Sequence, residues 1–471
     1  MAPKPMLRRH PKGGWKVRLR AFLHPIDPEK RAALATRWGE LPAELRTPSQ
    51  VSGRQFTHCG FTTGASYCSF HCTHCYLPEN ANRVPLPTMA EMRGQIAANR
   101  KLLGPGGGFQ ITGGDVADAY WRAGRPDELI EIVRLAADSG LVPILMTHGQ
   151  TLIEHTDFLE RLILEGGLRQ VSVHIDTTQA GRRGFPIRAA KSEADLHPVR
   201  EAFTQLALET QRKTGITLRF AMTFTVTRNN LADVPEVLRW FLATPERAAV
   251  WRMLAFLPEA DTGRTIIPGE PVTPELVWEK ICEGAGLPLK RDAVQFGHAD
   301  CNSWAPLLAA GSEIGNLPLL PGDGKSTRLF SRLLDAIGGI SLAPGTEDTL
   351  RYRLAGALVR HPLLVADLLI HAARLIVTGI WPWRVLKRWP QGEAQVTSIY
   401  MHNFMSSEQV ASAPGDPTVQ SRLNGCVFKG AIQRDDGSWE AVPMCSMNQS
   451  EWGKLFDRRI ASGKTRLPAN L

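Results

Sequence analysis

Cys68-Ser69-Phe70-His71-Cys72-Thr73-His74-Cys75-Tyr76 brings three of the chain's eight cysteines into one short loop, with the spacing C-x3-C-x2-C. Cysteine thiolates are the usual protein ligands of iron–sulfur clusters, so three on one loop can hold three irons of a cubic [4Fe–4S] cluster. No fourth cysteine lies in the loop, and the fourth iron is therefore open to a ligand that the protein does not supply.

Zinc binding and inert thiols are the two other interpretations of this loop. Together with one of His58, His71 or His74, the three cysteines would make a four-ligand zinc site. Structural zinc sites more often combine one C-x2-C pair with a second pair further along the chain. The sequence downstream of the loop favours the cluster.

Composition and charge limit the class of protein. The chain has 471 residues, 43% of them hydrophobic and 21% charged, which is typical of a globular protein too long for one core. Eight clustered cysteines predict metal binding in a reducing compartment, so we expect a cytoplasmic protein without disulfides. The basic N-terminus precedes no long apolar run, and no run reaches the ~18 residues of a membrane span.

The formal net charge of +9 predicts an anionic partner. The sequence has no nucleic-acid motif, so we expect a membrane surface and no nucleic acid. Residues 354–389 combine apolar runs with tryptophans and arginines, which suits a helix lying in a membrane interface. A pair of core helices is the alternative interpretation. The localisation predicted is cytoplasmic, with peripheral membrane or lipid contact.

An alternation of strand and helix patterns runs from about residue 51 to residue 290. It implies parallel strands joined by right-handed crossovers. Six units are fewer than a closed eight-unit barrel needs, so the fold class predicted is α/β, a partial (β/α)6 TIM-like barrel. The predicted strands are 55–63, 108–112, 141–147, 170–176, 216–227 and 250–257, and the predicted helices are 89–103, 127–139, 152–165, 193–214, 234–242 and 274–282.

Two further regions flank the predicted barrel. Residues 1–50 are predicted to be a basic, largely solvated extension with one helix that begins at Pro28 after an Asp27 cap. Residues 291–471 are predicted to form a mixed C-terminal domain that covers the substrate.

Polar and glycine residues follow the predicted strands at their carboxyl ends, where parallel α/β proteins gather their chemistry. Gly113-Gly114-Asp115 follows the second strand, and glycine lets a ligand approach the backbone closely. Arg182 and Arg183 follow the fourth strand, and a guanidinium pairs well with a carboxylate. A solvated basic loop is the alternative for the arginines, and an ordinary turn is the alternative for the glycines.

Across residues 51–290 the cysteine loop and the glycine turn, in this order, resemble the radical S-adenosylmethionine (SAM) superfamily. The turn has Asp115 where the family's motif usually has Glu. The resemblance implies that Cys68, Cys72 and Cys75 hold a [4Fe–4S] cluster whose open iron binds the amino and carboxylate groups of SAM. An electron from the cluster then cleaves SAM to a 5′-deoxyadenosyl radical, which abstracts hydrogen from the substrate.

The same resemblance assigns the SAM contacts. Backbone carbonyls of the glycine turn would accept from the SAM ammonium group, Ser172 or Asp176 would meet the ribose, and the backbone of His74 would meet adenine. A glycine-rich adenine motif on the fifth strand is absent, which leaves the adenine contacts open. The candidate cofactor-binding residues are His74, Tyr76, Gly113, Gly114, Asp115, Ser172, Asp176 and Thr225.

Cys301, Cys426 and Cys445 are candidate ligands of a second [4Fe–4S] cluster, with Cys59 as a further candidate. Each of the first three is predicted to lie in a polar, turn-rich setting, and Asp435-Asp436-Gly437 predicts a hairpin between the last two. The order of these features faintly resembles auxiliary-cluster domains and tetraether lipid synthases of the same superfamily. Three buried structural thiols are the alternative.

The function predicted is reductive SAM cleavage and hydrogen abstraction from an unactivated C–H bond, first of a lipid or isoprenoid chain. Ferredoxin or flavodoxin would supply the electron. A radical SAM maturase acting on a ribosomal peptide is the alternative within the family. A non-catalytic zinc or iron–sulfur scaffold is the alternative of another class, and it would not need the strand-end motifs in barrel order.

Overall fold

A computed structural model describes residues 14–461, apart from residues 71, 73, 180–181, 183–189, 266, 268–269 and 343–346. His71, Arg183 and the first 13 residues of the predicted basic extension therefore lie outside the described residues. The architecture is mixed α/β, with helices packed on one large sheet.

The strands are β1 (Cys59–Ala65), β2 (Gly108–Gly113), β3 (Val142–Thr147), β4 (Gln170–His174), β5 (Arg219–Val226), β6 (Trp251–Pro258), β7 (Asn302–Ala309), β8 (Asn316–Pro318), β9 (Gln395–His402), β10 (Phe428–Gln433) and β11 (Trp439–Pro443). The helices of the first half are α1 (Trp15–Leu23), α2 (Pro28–Glu40), α3 (Met89–Leu103), α4 (Val116–Arg122), α5 (Pro126–Asp138), α6 (Gln150–Glu154), α7 (Thr156–Leu164), α8 (His197–Thr214), α9 (Val234–Leu242), α10 (Pro245–Val250) and α11 (Pro274–Ala285). Those of the second half are α12 (Gly324–Ile337), α13 (Glu347–Leu358), α14 (Pro362–Val377), α15 (Trp383–Leu386), α16 (Ser407–Ala411), α17 (Pro417–Gly425), α18 (Met444–Ser446) and α19 (Trp452–Ala461).

The strand order is β11-β10-β1-β2-β3-β4-β5-β6-β9-β7-β8, and β1 to β6 are parallel neighbours in chain order. Strands of the second half extend this sheet on both sides, since β10 pairs with β1 and β9 pairs with β6, both in parallel. The sheet is open, with β11 and β8 at its edges. The six predicted parallel strands are confirmed, and the sheet runs on past residue 290.

The sheet curves around a cavity of about 370 Å³ at the amino ends of its strands. Residues of eight strands line this cavity, namely β1 to β6, β9 and β10. Neighbouring strands are ~4.8 Å apart, so a flat sheet could not bring eight of them to one cavity of this size.

The sequence predicts the start of a helix correctly where the N-cap signal is clear. Thr88 and Glu91 form a reciprocal capping box, and α3 begins at Met89 as predicted. The helix predicted over 152–165 is instead two helices, α6 and α7, which break at His155. β1 begins at Cys59, four residues later than predicted.

The N-terminal segment is not a solvated arm where the structure describes it. Asp27 caps α2 as predicted, through hydrogen bonds from the backbone of Glu29 and Lys30. Arg37 of α2 is buried and donates to the carbonyl oxygens of Gly425 (3.0 Å) and Cys426 (3.1 Å). The prediction missed this docking because the partners lie almost 400 residues further along the chain.

The predicted hairpin between Cys426 and Cys445 is confirmed, since β10 and β11 pair antiparallel around a turn in which Gly437 has φ +82°. Among the described residues, no single helix is long and apolar enough to cross a membrane. The pair Thr349–Leu358 and Pro362–Val377, bent by 105°, meets that criterion of length and composition together.

Candidate cofactor site at the carboxyl ends of the strands

The cysteine loop leaves the carboxyl end of β1 and is fixed at both of its ends. Asn82 accepts from the backbone N–H of Cys68 (3.1 Å) and donates to its carbonyl oxygen (3.0 Å). The backbone N–H of Arg264, just after β6, donates to the carbonyl oxygen of Cys75 (3.1 Å). The first and sixth parallel strands therefore position the loop between them.

Cys68, Cys72 and Cys75 are all free thiols and half-buried. Burial raises the pKa of Cys72 to about 12 and that of Cys68 well above its usual value, and mutual repulsion among the thiols acts in the same direction. A bound cation would reverse this effect, because a metal-coordinated thiol is deprotonated outright. The three side chains are thus close enough to interact, and the nearby cations Arg264 and Arg182 offset the effect of burial on Cys72 only in part.

The donor set fits a cubane better than a single metal ion. Within the described ranges, no group of three or more His, Cys, Asp or Glu side chains could hold one metal ion. A cubane spreads its thiolates over separate irons, so they need not converge on one point. His58 cannot be the fourth zinc ligand, because it precedes β1 whereas the loop follows it, about 20 Å along a seven-residue strand.

The glycine turn after β2 packs against the chain that enters the cysteine loop. A Cβ on Gly113 would lie 2.0 Å from the carbonyl oxygen of Ala65, and Gly113 also has φ +118°. A Cβ on Gly114 would lie 2.2 Å from the carbonyl oxygen of Tyr67. Both glycines are therefore required by backbone–backbone packing, in addition to any ligand they approach.

Tyr76 connects the loop to this turn. Its hydroxyl donates to the carbonyl oxygen of Gly113 (2.8 Å) and lies 3.3 Å from Thr112 Oγ1. Burial raises the pKa of Tyr76, so its hydroxyl keeps its proton. A carbonyl oxygen has two lone pairs, which leaves Gly113 able to accept a second donor such as an ammonium group.

Asp115 braces the turn through its side chain. As the N-cap of α4, the buried carboxylate of Asp115 accepts from the backbone N–H of Asp118 (2.7 Å). It also accepts from Thr147 Oγ1 (2.7 Å) and from the backbone N–H of His148 (2.5 Å), which both lie at the end of β3. These bonds join the ends of β2 and β3. The carboxylate is thus engaged within the protein, and the backbone of the turn is the part that remains for a ligand.

Asp176 and Thr225 form one network at the ends of β4 and β5. Asp176 accepts from the backbone of Thr225 (2.7 Å) and from Thr178, and its other partner is His174 Nε2 (2.5 Å). Burial alone would raise the pKa of Asp176, but His174 and these hydrogen bonds hold it below its usual value. His174 also lies 3.1 Å from Thr225 Oγ1 and is partly exposed, so it faces the site while Asp176 supports it.

Ser172 lies lower in the sheet than the other candidates. Its hydroxyl is 3.1 Å from Thr223 Oγ1 on β5, and it lines the large cavity rather than the strand ends. His74 has its ring 3.1 Å from the buried Glu259, directly after β6. Of these two predicted SAM contacts, His74 therefore lies at the carboxyl end of β6, whereas Ser172 lies away from the strand ends.

Arg182 is a cation that the structure buries next to the cysteine loop. Its Nη2 donates to the carbonyl oxygen of His174 (2.7 Å), but Nε and Nη1 have no hydrogen-bond partner among the described residues. Its guanidinium lies 5.3 Å from the ring of Phe70. Burial lowers the pKa of Arg182 to about 10, whereas Cys72, Asp115 and Asp176 act to raise it.

His148, Phe70 and Asn82 are the residues of this site that the sequence did not reveal. Phe70, inside the loop, stacks on His148 with ring centroids 3.6 Å apart and planes 4° from parallel. His148 follows β3 and also approaches Ser69 (3.4 Å). The position of His148 at the end of the third predicted strand was the one available signal, since chemistry gathers at such ends.

Cys301, Cys426 and Cys445 meet around a separate, small cavity of about 20 Å³. Arg422 Nε donates to Cys301 Sγ (3.4 Å), and Cys426 Sγ donates to the carbonyl oxygen of Phe428 (3.2 Å). Burial raises the pKa of Cys301 to about 11 and that of Cys445 to about 12.

The predicted polar setting is wrong for one of these three cysteines. Cys445 lies in the one-turn helix α18, packed among Met405, Val410 and Val419. Cys59, the further candidate, lines the neighbouring large cavity and not the small one.

No protein-family model matches the chain, and no curated protein matches it. Solved structures do match, among them three of anSMEcpe with bound AdoMet, one of which also contains the Cp18Cys peptide. They are 14–15% identical to this chain, with a TM-score of 0.31. The match covers 47–48% of this chain and 56–57% of theirs, so the chain spans little more than half the length of those structures. A likeness this distant says nothing about activity, and function has to be argued from the residues of the site.

Proposed function

We propose that this chain is a radical SAM enzyme with a partial-barrel catalytic region, in which Cys68, Cys72 and Cys75 hold a [4Fe–4S] cluster. The cluster would supply the electron for reductive cleavage of SAM, and an external donor of the ferredoxin or flavodoxin type would reduce it. One observation carries the proposal. Three close thiols on one loop lie against the glycine turn at the carboxyl ends of parallel strands, beside a buried cation, Arg182, two of whose nitrogens have no hydrogen-bond partner among the described residues.

The chain's own residues would bind and orient SAM. The Gly113 carbonyl can accept from the ammonium group while Tyr76 holds the turn. Nε and Nη1 of Arg182 are buried donors that have no hydrogen-bond partner among the described residues, and a carboxylate can accept from either one. His174, positioned by Asp176, is available to a ribose hydroxyl.

Anaerobic reconstitution with iron and sulfide, followed by a 5′-deoxyadenosine assay with SAM and dithionite, tests this function. The wild-type protein should form 5′-deoxyadenosine, and the variant with Cys68, Cys72 and Cys75 all changed to Ala should form none. Cys282→Ala is the matched control, because that thiol lies on α11 and bonds the carbonyl oxygen of Leu289. Retained cleavage in the triple variant would refute the assignment, and a colourless, zinc-loaded wild type would favour the scaffold.

A lipid or isoprenoid chain is the substrate class that we propose. The cavity inside the curved sheet has about 370 Å³, within the range of small-molecule sites, and most of its accessible lining is apolar. Phe56, Ile144, Met253 and Phe428 line it at the amino ends of the strands, so a substrate held there has to be long enough to extend to the cofactor site at the carboxyl ends. An alkyl segment would bury its surface there and has no polar groups of its own that need hydrogen-bond partners.

His58 is an uncharged polar contact that the cavity offers to such a substrate. Burial lowers the pKa of His58 to about 2, and neither ring nitrogen has a hydrogen-bond partner in the described part of the chain. The neutral ring offers one donor and one acceptor, which suits a hydroxyl or carbonyl on an otherwise apolar molecule.

Deuterium transfer separates the two substrate classes. The reconstituted enzyme is given SAM and dithionite with either a phospholipid bearing perdeuterated acyl chains or a deuterated peptide. Mass spectrometry should find monodeuterated 5′-deoxyadenosine with the lipid only. Met253→Trp should suppress this transfer by filling the cavity, whereas Met253→Leu should not. Transfer from the peptide alone would overturn the lipid assignment and leave SAM cleavage intact.

A further inference from the structure

The helix α14 has a second apolar face that points away from the protein core. Leu363, Ala366, Ile370, Ala373 and Val377 are all exposed and follow one another at spacings of three and four residues, which places them on one side of the helix. The exposed fractions are 77% for Leu363, 69% for Ile370 and 86% for Val377. A soluble helix normally has polar residues in these positions.

The core contact of α14 is already made by its other side. Leu364 and Leu375 are buried, and Leu364 packs with Leu329 and Ala336 of α12. The exposed face is therefore additional to the contacts that hold the helix in place. An exposed apolar face of this length marks an interaction site.

α1, which packs on α13, presents a similar stripe. Trp15, Leu19 and Leu23 are exposed at spacings of four residues. Nη2 of Arg360, at the end of α13, donates to the carbonyl oxygen of Leu23 (2.9 Å), so the stripe of α1 ends where α14 begins. The chain after α14 adds Trp383 and Trp389, with exposed fractions of 65% and 58%.

Positive charge accompanies these apolar side chains. Residues 351–389 contain seven Lys and Arg residues and one acidic residue, Asp367. That carboxylate forms an ion pair with Arg332 of α12, so it does not neutralise the surface residues around it. Lys16 and Arg20 of α1 are exposed as well. Arg374 and Arg388 are ion-paired with Asp323 and Glu393, so the positive charge that can face a layer of negative charge is mainly that of Lys16, Arg20, Arg384 and Lys387.

We propose that α1, α14 and the segment through Trp389, here called the docking face, bind the surface of a bilayer that contains anionic lipid. Apolar side chains would enter the acyl boundary, tryptophans would lie at the level of the headgroups, and arginines and lysines would pair with phosphates. A protein partner would not require tryptophan and basic residues together along one exposed face. The inference is independent of the radical SAM assignment, because vesicle binding needs neither iron nor SAM.

Vesicle sedimentation of the full chain tests the docking face. The protein should sediment with vesicles of phosphatidylcholine plus phosphatidylglycerol, and much less with phosphatidylcholine alone. Leu363→Glu with Ile370→Glu should abolish sedimentation. Arg384→Gln with Lys387→Gln should weaken binding to the anionic vesicles roughly 30-fold, because each cation near such a surface contributes about 1 kcal/mol.

Matched variants elsewhere keep the test specific. Leu208→Glu with Leu276→Glu alters two exposed leucines of α8 and α11, and Arg212→Gln with Arg228→Gln removes two exposed charges. Both controls should bind like the wild type. Wild-type protein that ignores anionic vesicles would overturn the proposal. A dimer that Leu363→Glu with Ile370→Glu dissociates, without vesicle binding, would assign the face to a second copy of the chain instead.

Discussion

The hydroxyl of Tyr76 donates to the carbonyl oxygen of Gly113 over 2.8 Å and so joins the cysteine loop to the glycine turn on the neighbouring strand. The two motifs lie almost 40 residues apart in the sequence. Tyr76 is the first residue after the last loop cysteine, so this bond fixes the position of Cys75 relative to the turn. Together with the bonds of Asn82 and Arg264 to the loop, this phenol would therefore help to set the geometry between the proposed cluster and SAM site.

Tyr76→Phe should lower the free energy of unfolding by about 1 kcal/mol, since a buried acceptor loses its donor. Tyr120→Phe is the matched control, because the hydroxyl of Tyr120 is buried and has no partner in the part of the chain that the structure describes. Its removal should be neutral or stabilising. Urea denaturation measures both. The reconstituted Tyr76→Phe protein should also lose iron to a chelator faster, and equal stability of the two variants would contradict the role of this bond.

Gly114→Ala should destabilise the turn by roughly 1–3 kcal/mol, as overpacking does, because its Cβ would lie 2.2 Å from the carbonyl oxygen of Tyr67. Gly39→Ala, in the last turn of α2, is the control: a Cβ there meets nothing within 4 Å, and Ala should be neutral or stabilise by up to about 1 kcal/mol. Thermal unfolding and SAM titration measure the two effects. Gly114→Val should impair SAM binding still more, and wild-type SAM affinity in that variant would remove the turn from the SAM site.

The glycine turn illustrates what the sequence could and could not predict. Its place after the second strand followed from strand periodicity, and the parallel order of β1 to β6 was predictable for the same reason. The role of Asp115 was not, because its partners, Thr147 and His148, come from the next strand and only the folded chain brings them together. Asp115→Asn is consequently expected to be costly too, since an amide replaces one accepting oxygen with a donor.

Strand pairing between distant parts of the chain was the second feature that the sequence could not predict. The hairpin turn at Gly437 was readable, but nothing local indicated that β10 would pair with β1, or that β9 would pair with β6. Likewise the sequence offered Arg182 as one of two candidate arginines in a loop, and its burial beside Phe70 was not predictable from that loop. Contacts of this kind depend on tertiary packing, which sequence periodicity does not encode.

Arg182→Met should weaken SAM binding roughly 10- to 100-fold, because a charge-assisted hydrogen bond contributes about 1.5–3 kcal/mol. The same change should leave the SAM-free protein equally or more stable, since it removes a buried cation with two donors that have no partner in the part of the chain that the structure describes. Arg212→Met, on an exposed side chain, is the control for charge alone. Calorimetric titration and thermal unfolding separate the outcomes: lower stability with unchanged SAM affinity would make Arg182 a structural residue.

Lys30 should give the protein a pH dependence on the alkaline side. Burial lowers its pKa from 10.5 to about 8, and its Nζ donates to the carbonyl oxygen of Ile340 (3.2 Å). Between those two pKa values the unfolded chain holds a proton that the folded chain has lost, so stability rises with pH, by roughly 3 kcal/mol in total. Unfolding free energies from pH 7 to 10.5 should therefore rise in the wild type relative to Lys30→Met. Parallel curves would show that Lys30 titrates normally.

The three cysteines of the second half decide whether the protein holds one cluster or two. Cys301, Cys426 and Cys445 meet at one cavity, and Arg422 already donates to Cys301. Cys445 is buried among apolar side chains, which is equally typical of a structural thiol. We predict a second cluster, so the reconstituted protein should bind roughly eight irons, as two cubanes.

Variants that lack one or the other set of three cysteines test whether the protein holds one cluster or two. The protein without Cys68, Cys72 and Cys75 should keep thiolate-to-iron absorption, because the second set is intact. The protein without Cys301, Cys426 and Cys445 should retain one cluster and cleave SAM but lose product formation. Cys59→Ala should change neither iron content nor colour, since its side chain lines the larger cavity. Iron near four per chain, with a colourless loop variant, would mean that Cys301, Cys426 and Cys445 are core thiols and that the cysteine loop holds the single cluster.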